Sequence, residues 1–261
     1  MKIVFVGSGN LASNLAKALH GHGNEIIQVF SRTMESAREL AEKTDSTPVT
    51  DYDAIADDAD LYIISVKDSV LKDVVGSVCN EKRKGLFVHT AGSISVDVFA
   101  GHTERYGVFY PMQSFSKQRE VDFNNIPFFI EAANADDCRM LKELASTLSD
   151  SVYDLSSVAR KHLHLAAVFA SNFANHCYEL CDEILGKYDI PFEVMLPLID
   201  EIARKVHSVK PREAQTGPAI RYDRNVMDMQ KNLLADTPRI QRIYEIMSDS
   251  IHEVAMASKK R

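Results

Sequence analysis

Short apolar runs alternate with amphipathic segments along the first 155 residues of the chain. The apolar runs lie at residues 2–6, 25–30, 60–65, 86–89, 106–110, 127–131 and 152–155. Between them, apolar positions recur at helical spacing at residues 10–22, 33–43, 69–79 and 136–148. Buried strands separated by amphipathic helices are typical of a mostly parallel sheet covered on both faces. We therefore predict a doubly wound α/β domain over residues 1–155.

Beyond residue 155 the strand pattern stops, and helical periodicity continues to the end of the chain. Helices are predicted at residues 156–186, 192–206, 219–234 and 238–258. Pro191, the Lys210-Pro211 loop and the turn before Pro238 separate them, as proline cannot continue a helix. An all-α domain over residues 156–261 is therefore expected, with a ligand in the cleft between the domains.

Composition and charge exclude several classes of function. The net charge of -7 argues against a nucleic-acid partner, since phosphate contacts need a basic face. No apolar run reaches the roughly 18 residues of a membrane span, and Met1 leads directly into the first strand, which predicts no signal peptide. The cysteines show no disulfide pattern, and Cys177 and Cys181 lack further metal-ligand partners. We expect buried free thiols, no metal site and a cytoplasmic protein.

A G-x-G-x-x-A turn follows the first strand directly, at Gly7-Ser8-Gly9-Asn10-Leu11-Ala12. Gly7 permits a tight turn, Gly9 lets a pyrophosphate approach the backbone, and Ala12 lets the next helix pack closely. The strand before the turn and the helix after it favour a Rossmann-type dinucleotide site over a simple strand-to-helix turn. Gly7, Ser8, Gly9, Asn10 and Leu11 are the predicted phosphate-binding residues.

The end of the second strand indicates which dinucleotide binds. NAD-specific sites usually carry Asp or Glu here, but this chain has Ser31-Arg32-Thr33. A guanidinium flanked by hydroxyls accepts a 2′-phosphate through charge-assisted hydrogen bonds. NADP(H) is therefore the predicted cofactor. The alternative is that Arg32 is simply solvated at a helix start and that Ser31 or Thr33 caps that helix.

Later segments are expected to line the same cofactor, because they follow parallel strands whose carboxyl ends bind ligands. The segment Tyr110-Pro111-Met112-Gln113-Ser114-Phe115 is expected to reach the nicotinamide side. The cofactor-lining candidates are Val66, Lys67, Thr90, Ala91, Gly92 and Met112.

The first long helix carries a polar stripe that suits a substrate wall. At 100° per residue, the stripe comprises Lys161, His164, Val168, Ser171, Asn172 and Asn175. His164 is the predicted proton donor, Asn172 and Ser171 are predicted to orient the substrate, and a solvent-facing helix surface is the alternative.

Thr216-Gly217-Pro218 can begin a helix whose free N–H groups point at an anion. Arg221 would then bind a substrate carboxylate, or it would form a surface pair with Asp223.

Taken together, these motifs resemble a family of Rossmann-like NADP oxidoreductases with a helical C-terminal domain of unknown function. The family is similar to pyrroline-5-carboxylate reductases and to deazaflavin-dependent NADP reductases. The resemblance covers nearly the whole chain and implies an NADP-binding domain followed by a helical domain that dimerises. β-Hydroxyacid dehydrogenases have an Asn four residues after a Lys on this helix, whereas Leu165 follows Lys161 at that distance. This difference argues against their alcohol-oxidation mechanism in this chain.

The sequence therefore predicts an NADP(H)-dependent oxidoreductase that acts on a small carbonyl or imine. A nonenzymatic NADP-binding sensor or scaffold is the alternative, and a structural dimer module with a vestigial site is a third. A continuous apolar seam on the long helix predicts a homodimer through residues 156–261.

Overall fold

The structure, a computed structural model, describes residues 1–119 and 121–259. The chain divides into two compact units, Met1–Asn172 and Phe173–Arg261. The boundary between the units therefore lies inside the long helix that the sequence predicted to begin at residue 156. The last strand ends earlier, at Asp154. The division into functional domains at residue 155 stays a prediction.

The first unit alternates strands and helices in the predicted order. Its strands are β1 (Lys2–Val6), β2 (Glu25–Phe30), β3 (Thr47–Val49), β4 (Leu61–Ile64), β5 (Leu86–His89), β6 (Tyr106–Pro111), β7 (Phe128–Ala132) and β8 (Val152–Asp154). Its helices are α1 (Asn10–Gly21), α2 (Met34–Ala41), α3 (Asp68–Val78), α4 (Ala135–Ser146) and α5 (Ser157–Ala167). β3 was not predicted, because it is short and contains Pro48, which cannot donate to a sheet.

These strands form one sheet in the order β3-β2-β1-β4-β5-β6-β7-β8. Neighbouring strands are parallel except β6 and β7, which are antiparallel. The strand order reverses direction at β1, with β2 on one side and β4 on the other. Ligands of open α/β sheets bind at such a switch point, beyond the carboxyl ends of the strands. The predicted α/β fold is confirmed.

Alternation along β1 explains why both faces of the sheet are covered. Ile3 and Phe5 join one buried apolar cluster, and Val4 and Val6 join the cluster on the opposite face. Successive side chains of a strand point to opposite faces, so an all-apolar strand needs a helical layer on each side.

The second unit is built from helices. They are α6 (Ala174–Gly186), α7 (Leu196–Lys205), α8 (Pro211–Ala214), α9 (Pro218–Arg221), α10 (Arg224–Asn232) and α11 (Pro238–Lys259). Its buried core is small and centres on Leu180, Leu234 and Ile240. The ion pair between Lys187 and Asp236 (2.8 Å) adds a contact between segments of this unit.

The predicted single helix at residues 219–234 is wrong. Tyr222 has φ 56° and separates α9 from α10. Its ring stacks on His252 with centroids 4.0 Å apart, and the Asp223 carboxylate accepts a hydrogen bond from Val226 N (3.4 Å) at the start of α10. A left-handed residue followed by a new N-cap ends one helix and begins the next.

The predicted long helix at residues 156–186 contains a π-helical segment, Val168–Phe173, between α5 and α6. A π turn has more residues than an α turn. The 100° spacing therefore does not hold across this segment, and the predicted stripe is shifted after Val168.

All four cysteines are free thiols. The expectation that the thiols are buried holds only for Cys79: Cys177 is exposed on α6, where Leu180 is the buried position, and Cys138 and Cys181 are half-buried. No described helix combines the length and apolar character that crossing a membrane requires. Among the residues described, no cluster of three or more His, Cys, Asp or Glu side chains is arranged to hold a metal ion.

Candidate functional site

The turn between β1 and α1 has the geometry that a dinucleotide phosphate requires. Gly7 has φ +116°, and a Cβ there would lie 2.1 Å from the carbonyl oxygen of Ser65. This conformation and this contact both require glycine. A Cβ at Gly9 would instead project into open space, so a ligand can approach the backbone at the start of α1.

The N-terminus of α1 suits an anion. Gly9 is its N-cap, and no side chain in the described part of the chain caps the helix there. The first N–H groups of a helix have no intrahelical acceptor and carry partial positive charge. The first turn, which begins with Asn10 and Leu11, contains no acidic residue. These features fit a pyrophosphate group, which Gly7, Ser8, Gly9, Asn10 and Leu11 would hold.

The end of β2 lies directly beside this turn. Ser8 Oγ donates a hydrogen bond to Ser31 Oγ (3.0 Å). Arg32 is exposed and forms no ion pair with any residue that the structure describes. Thr33 caps α2, since its Oγ1 accepts a hydrogen bond from Ser36 N (3.3 Å). The alternative role as a helix cap therefore applies to Thr33, while the Arg32 guanidinium is available for a 2′-phosphate.

The loops after β4 and β5 lie at the same edge of the sheet. Thr90 Oγ1 donates a hydrogen bond to Ser65 Oγ (3.1 Å). Val66 lies beside the glycine turn, with its Cγ1 3.2 Å from where a Gly7 Cβ would be. The other cofactor candidates differ in exposure: Lys67 is exposed, Ala91 is buried and Met112 is half-buried.

His164 lies against the loop after β5 and contacts the end of β6. A Cβ at Gly92 would lie 2.5 Å from His164 Nδ1, so the imidazole packs directly on the glycine backbone. His164 Nδ1 also lies 3.1 Å from the hydroxyl oxygen of Tyr110. The structure therefore brings together the predicted proton donor, one predicted cofactor residue and a tyrosine.

A buried charge network holds the start of α5, one turn before His164. Arg160 is 0% exposed and donates to Glu131 Oε2 (2.6 Å) and to the carbonyl oxygen of Ile94 (2.6 Å). Ser157 Oγ also donates to Glu131 Oε2 (2.6 Å). The network joins α5 to β7 and to the loop after β5, and it thereby fixes the position of His164.

Ser171 and Asn172 lie in the π-helical segment, and both are exposed. They belong to the first unit, as does His164. Because the π turn shifts the helical register, their place on one face with His164 no longer follows from spacing. Their role in orienting a substrate stays a prediction.

Arg221 lies in the second unit, at the end of the four-residue helix α9. It is exposed, and Gly217 before this helix has φ +106°. The helix is too short to support the predicted anion site at its N-terminus, since the macrodipole needs several aligned peptide units. Binding of a carboxylate by the Arg221 side chain itself stays a prediction.

The sequence did not predict the roles of Tyr110, Arg160 and Glu131. Tyr110 begins the segment that was expected to reach the nicotinamide side, but its contact with a residue 54 positions away depends on the fold. Arg160 precedes His164 by four residues, and this spacing on one helix face is the signal that links the two.

Two family models match the chain. Residues 2–92 match a family described as NADP oxidoreductase, coenzyme F420-dependent. Residues 126–251 match a domain of unknown function, DUF2520. The first segment contains the glycine turn and Arg32, and the second contains His164 and Arg221.

Solved structures with the same fold span nearly the whole chain. A Bacteroides fragilis protein described as "putative NADP oxidoreductase BF3122" is 58% identical, covers 97% of this chain and 98% of its own, and has a TM-score of 0.92. The 1-pyrroline-5-carboxylate reductase of Streptococcus pyogenes is 16% identical, with coverages of 97% and 98% and a TM-score of 0.63. An imine reductase of Myxococcus stipitatus in complex with NADP+ is 15% identical, with coverages of 100% and 94% and a TM-score of 0.66. At these low identities the last two show the shared fold alone.

A curated relative matches only a short part of the chain. The glutamyl-tRNA reductase of Paenibacillus macerans is 35% identical over 79 residues, which are 30% of this chain and 18% of that protein. The match thus covers less than a fifth of that relative, and we do not assign the activity of the reductase to this chain.

Proposed function

The chain belongs to the family of NADP oxidoreductases that includes the Bacteroides fragilis protein, and on this premise we propose that it transfers hydride between NADP(H) and a small carbonyl or imine. NADP(H) is the cofactor, as the sequence predicted. When bound, it supplies or accepts the hydride at the reacting carbon. The substrate and its place in a cleft between the domains stay predictions.

The glycine turn and Arg32 support the cofactor assignment. Open space at Gly9 and the uncapped start of α1 leave room and N–H donors for the pyrophosphate. Arg32 lies beyond the Ser8–Ser31 hydrogen bond, where a 2′-phosphate would be distinguished from a 2′-hydroxyl. The lining role of Val66, Lys67, Thr90, Ala91 and Met112 is part of the same proposal.

The position of His164 carries the catalytic proposal. The imidazole packs on Gly92, at the carboxyl edge of the parallel strands where the glycine turn also lies. Hydride transfer to a carbonyl or imine leaves an oxygen or nitrogen that needs a proton or a hydrogen-bond donor. His164 is proposed as this group, and Ser171 and Asn172 as residues that orient the substrate.

A screen of NADPH oxidation tests this proposal, with carbonyl, imine and deazaflavin compounds as acceptors. We expect turnover of at least one carbonyl or imine, and a kcat about 100-fold lower in His164→Ala, because general acid catalysis typically contributes about that much or more. His162→Ala is the matched control, since His162 is exposed on the same helix and its Nδ1 bonds to Val158 O (2.9 Å).

Three outcomes would contradict the proposal. Turnover that His164→Ala leaves unchanged would exclude the role of His164. NADPH binding without turnover of any compound would favour the nonenzymatic sensor or scaffold, and absence of nucleotide binding would favour the structural dimer.

The second unit supports the proposed homodimer. Its core centres on three buried residues, whereas many of its large apolar side chains are exposed, as on α7 at Leu198 and Ile202. Exposed apolar surface of this kind is typical of an interface between subunits. We further propose a cytoplasmic location, which the four free thiols support.

A further inference from the structure

The hydroxyl of Tyr110 lies 3.1 Å from Nδ1 of His164. Tyr110 is 7% exposed and belongs to β6, which is held between β5 and β7 in the sheet. His164 is half-buried. The tyrosine is therefore the fixed partner, and the imidazole is the group that a small molecule can reach.

The direction of this hydrogen bond follows from the surroundings of the phenol. In the part of the chain that the structure describes, Nδ1 of His164 is the only hydrogen-bond partner of the Tyr110 hydroxyl. Burial raises the pKa of Tyr110 against the opposing effect of the Arg160 charge, so the phenol keeps its proton at neutral pH. A buried O–H with one available acceptor donates to it, because an unmade bond is costly. A neutral imidazole that accepts at Nδ1 carries its proton on Nε2.

The surrounding backbone and the buried charges hold the pair in place. The Gly92 backbone supports the imidazole at Nδ1, where any side chain would collide with the ring. Arg160 ties the same helix to Glu131 and to the Ile94 carbonyl at 2.6 Å each. The Gly92 backbone limits the position of the imidazole ring itself, and the Arg160 contacts hold the helix one turn before it.

We propose that Tyr110 is a positioning residue, whose hydroxyl donates to His164 Nδ1 and keeps the neutral imidazole in the Nε2–H form. The Nε2–H group is then the hydrogen-bond donor presented to a carbonyl oxygen or imine nitrogen. This second step rests on the proposed function, whereas the tautomer is a property of the protein without substrate.

Heteronuclear NMR of the histidine ring nitrogens in the full-length protein tests the inference. The His164 signals are assigned by their loss in His164→Gln, and the neutral ring is identified by following the signals with pH. We expect an unprotonated Nδ1 and a protonated Nε2 in the wild type. Tyr110→Phe removes the donor, so the two tautomers should then exchange and the two nitrogen shifts should approach each other.

Tyr153→Phe is the matched control, because Tyr153 stacks on Phe129 of β7 and is 52% exposed. It should leave the His164 signals unchanged. A proton on Nδ1 in the neutral wild-type ring would overturn the inference, and so would unchanged shifts in folded Tyr110→Phe. If that variant does not fold, the wild-type tautomer alone decides.

Activity gives a second measurement. We expect kcat to fall about 10-fold in Tyr110→Phe with KM little changed, as for loss of one hydrogen bond that orients a donor. An unchanged kcat would overturn the positioning role. Absence of turnover in the wild type would contradict the proposed function instead, and the NMR result would still decide the tautomer.

Discussion

At the scale of single residues, burial has a strong electrostatic effect on His89. Its side chain is fully buried at the end of β5, and its Nδ1 accepts a hydrogen bond from Ala91 N (3.1 Å). Burial and, to a smaller extent, the Arg160 charge together lower the pKa of His89 to about 3. The residue is therefore neutral in the folded protein at every pH near neutrality.

This depressed pKa predicts loss of stability in acid. Below the pKa of an unfolded histidine, about 6.5, His89 binds a proton in the unfolded chain but not in the folded protein. The stabilisation is complete above that pH and is lost progressively as the pH falls toward 3. Between pH 7 and pH 5 this single group should lower the free energy of unfolding by about 2 kcal/mol.

Urea denaturation of the wild type and His89→Asn at both pH values measures this effect. The variant should be less stable at pH 7. Its free energy of unfolding should also fall by about 2 kcal/mol less than that of the wild type between pH 7 and pH 5, since Asn does not titrate. An identical pH dependence in the two proteins would show that His89 is not the group responsible.

The sequence identified some site residues and missed others for a physical reason. Gly7, Gly9 and Arg32 follow from local rules about turns and strand ends, and His164 followed from helical spacing. Tyr110 and Glu131 act through contacts that only the folded sheet creates, since each meets α5 from a different strand. Their partners could not be read from neighbouring residues.

At the scale of elements, a substitution at the start of α1 can change cofactor binding without changing the stability of the fold. Gly9 has φ -71°, which alanine adopts freely, and its Cβ would meet no atom within 4 Å. Gly9→Ala should therefore leave the melting temperature almost unchanged. The added methyl would occupy the space where the pyrophosphate must approach, so NADPH affinity should fall at least about tenfold.

Gly21→Ala, at the other end of the same helix, is the control, because a Cβ there also meets open space. Gly21→Ala should leave both the stability and the NADPH affinity nearly unchanged. Titration calorimetry measures the NADPH affinity of both variants, and a thermal melt measures their stability. Normal NADPH affinity in Gly9→Ala would contradict the placement of the phosphates.

The sequence predicted most elements of the first unit, because short buried strands and amphipathic helices have strong local signals. The breaks in the helical half could not be predicted in this way. The π-helical segment Val168–Phe173 interrupts a stretch without Gly or Pro, and Tyr222 has a left-handed conformation supported by its stacking on His252. Both depend on packing rather than on local propensity.

At the scale of the whole molecule, the helical unit should complete its core with a second copy of the chain. Leu198 and Ile202 on α7 are 59% and 52% exposed. We expect sedimentation to give a dimer at micromolar concentration, and Leu198→Glu combined with Ile202→Glu to give monomers, because buried unpaired charges oppose association. Val70→Glu on α3 of the first unit is the control and should remain dimeric. A wild-type monomer would contradict the homodimer.

Fluorescence titration with NADPH and NADH tests most directly the proposed binding of NADP(H) by the glycine turn and Arg32. The wild type should bind NADPH at least about tenfold more tightly than NADH, as expected for charge-assisted bonds to the 2′-phosphate. Arg32→Ala should remove that preference and leave NADH affinity unchanged. The control is Arg38→Ala, at an exposed arginine on the neighbouring helix α2, which should preserve the preference. Equal affinity of the wild type for both nucleotides would contradict the proposed role of Arg32.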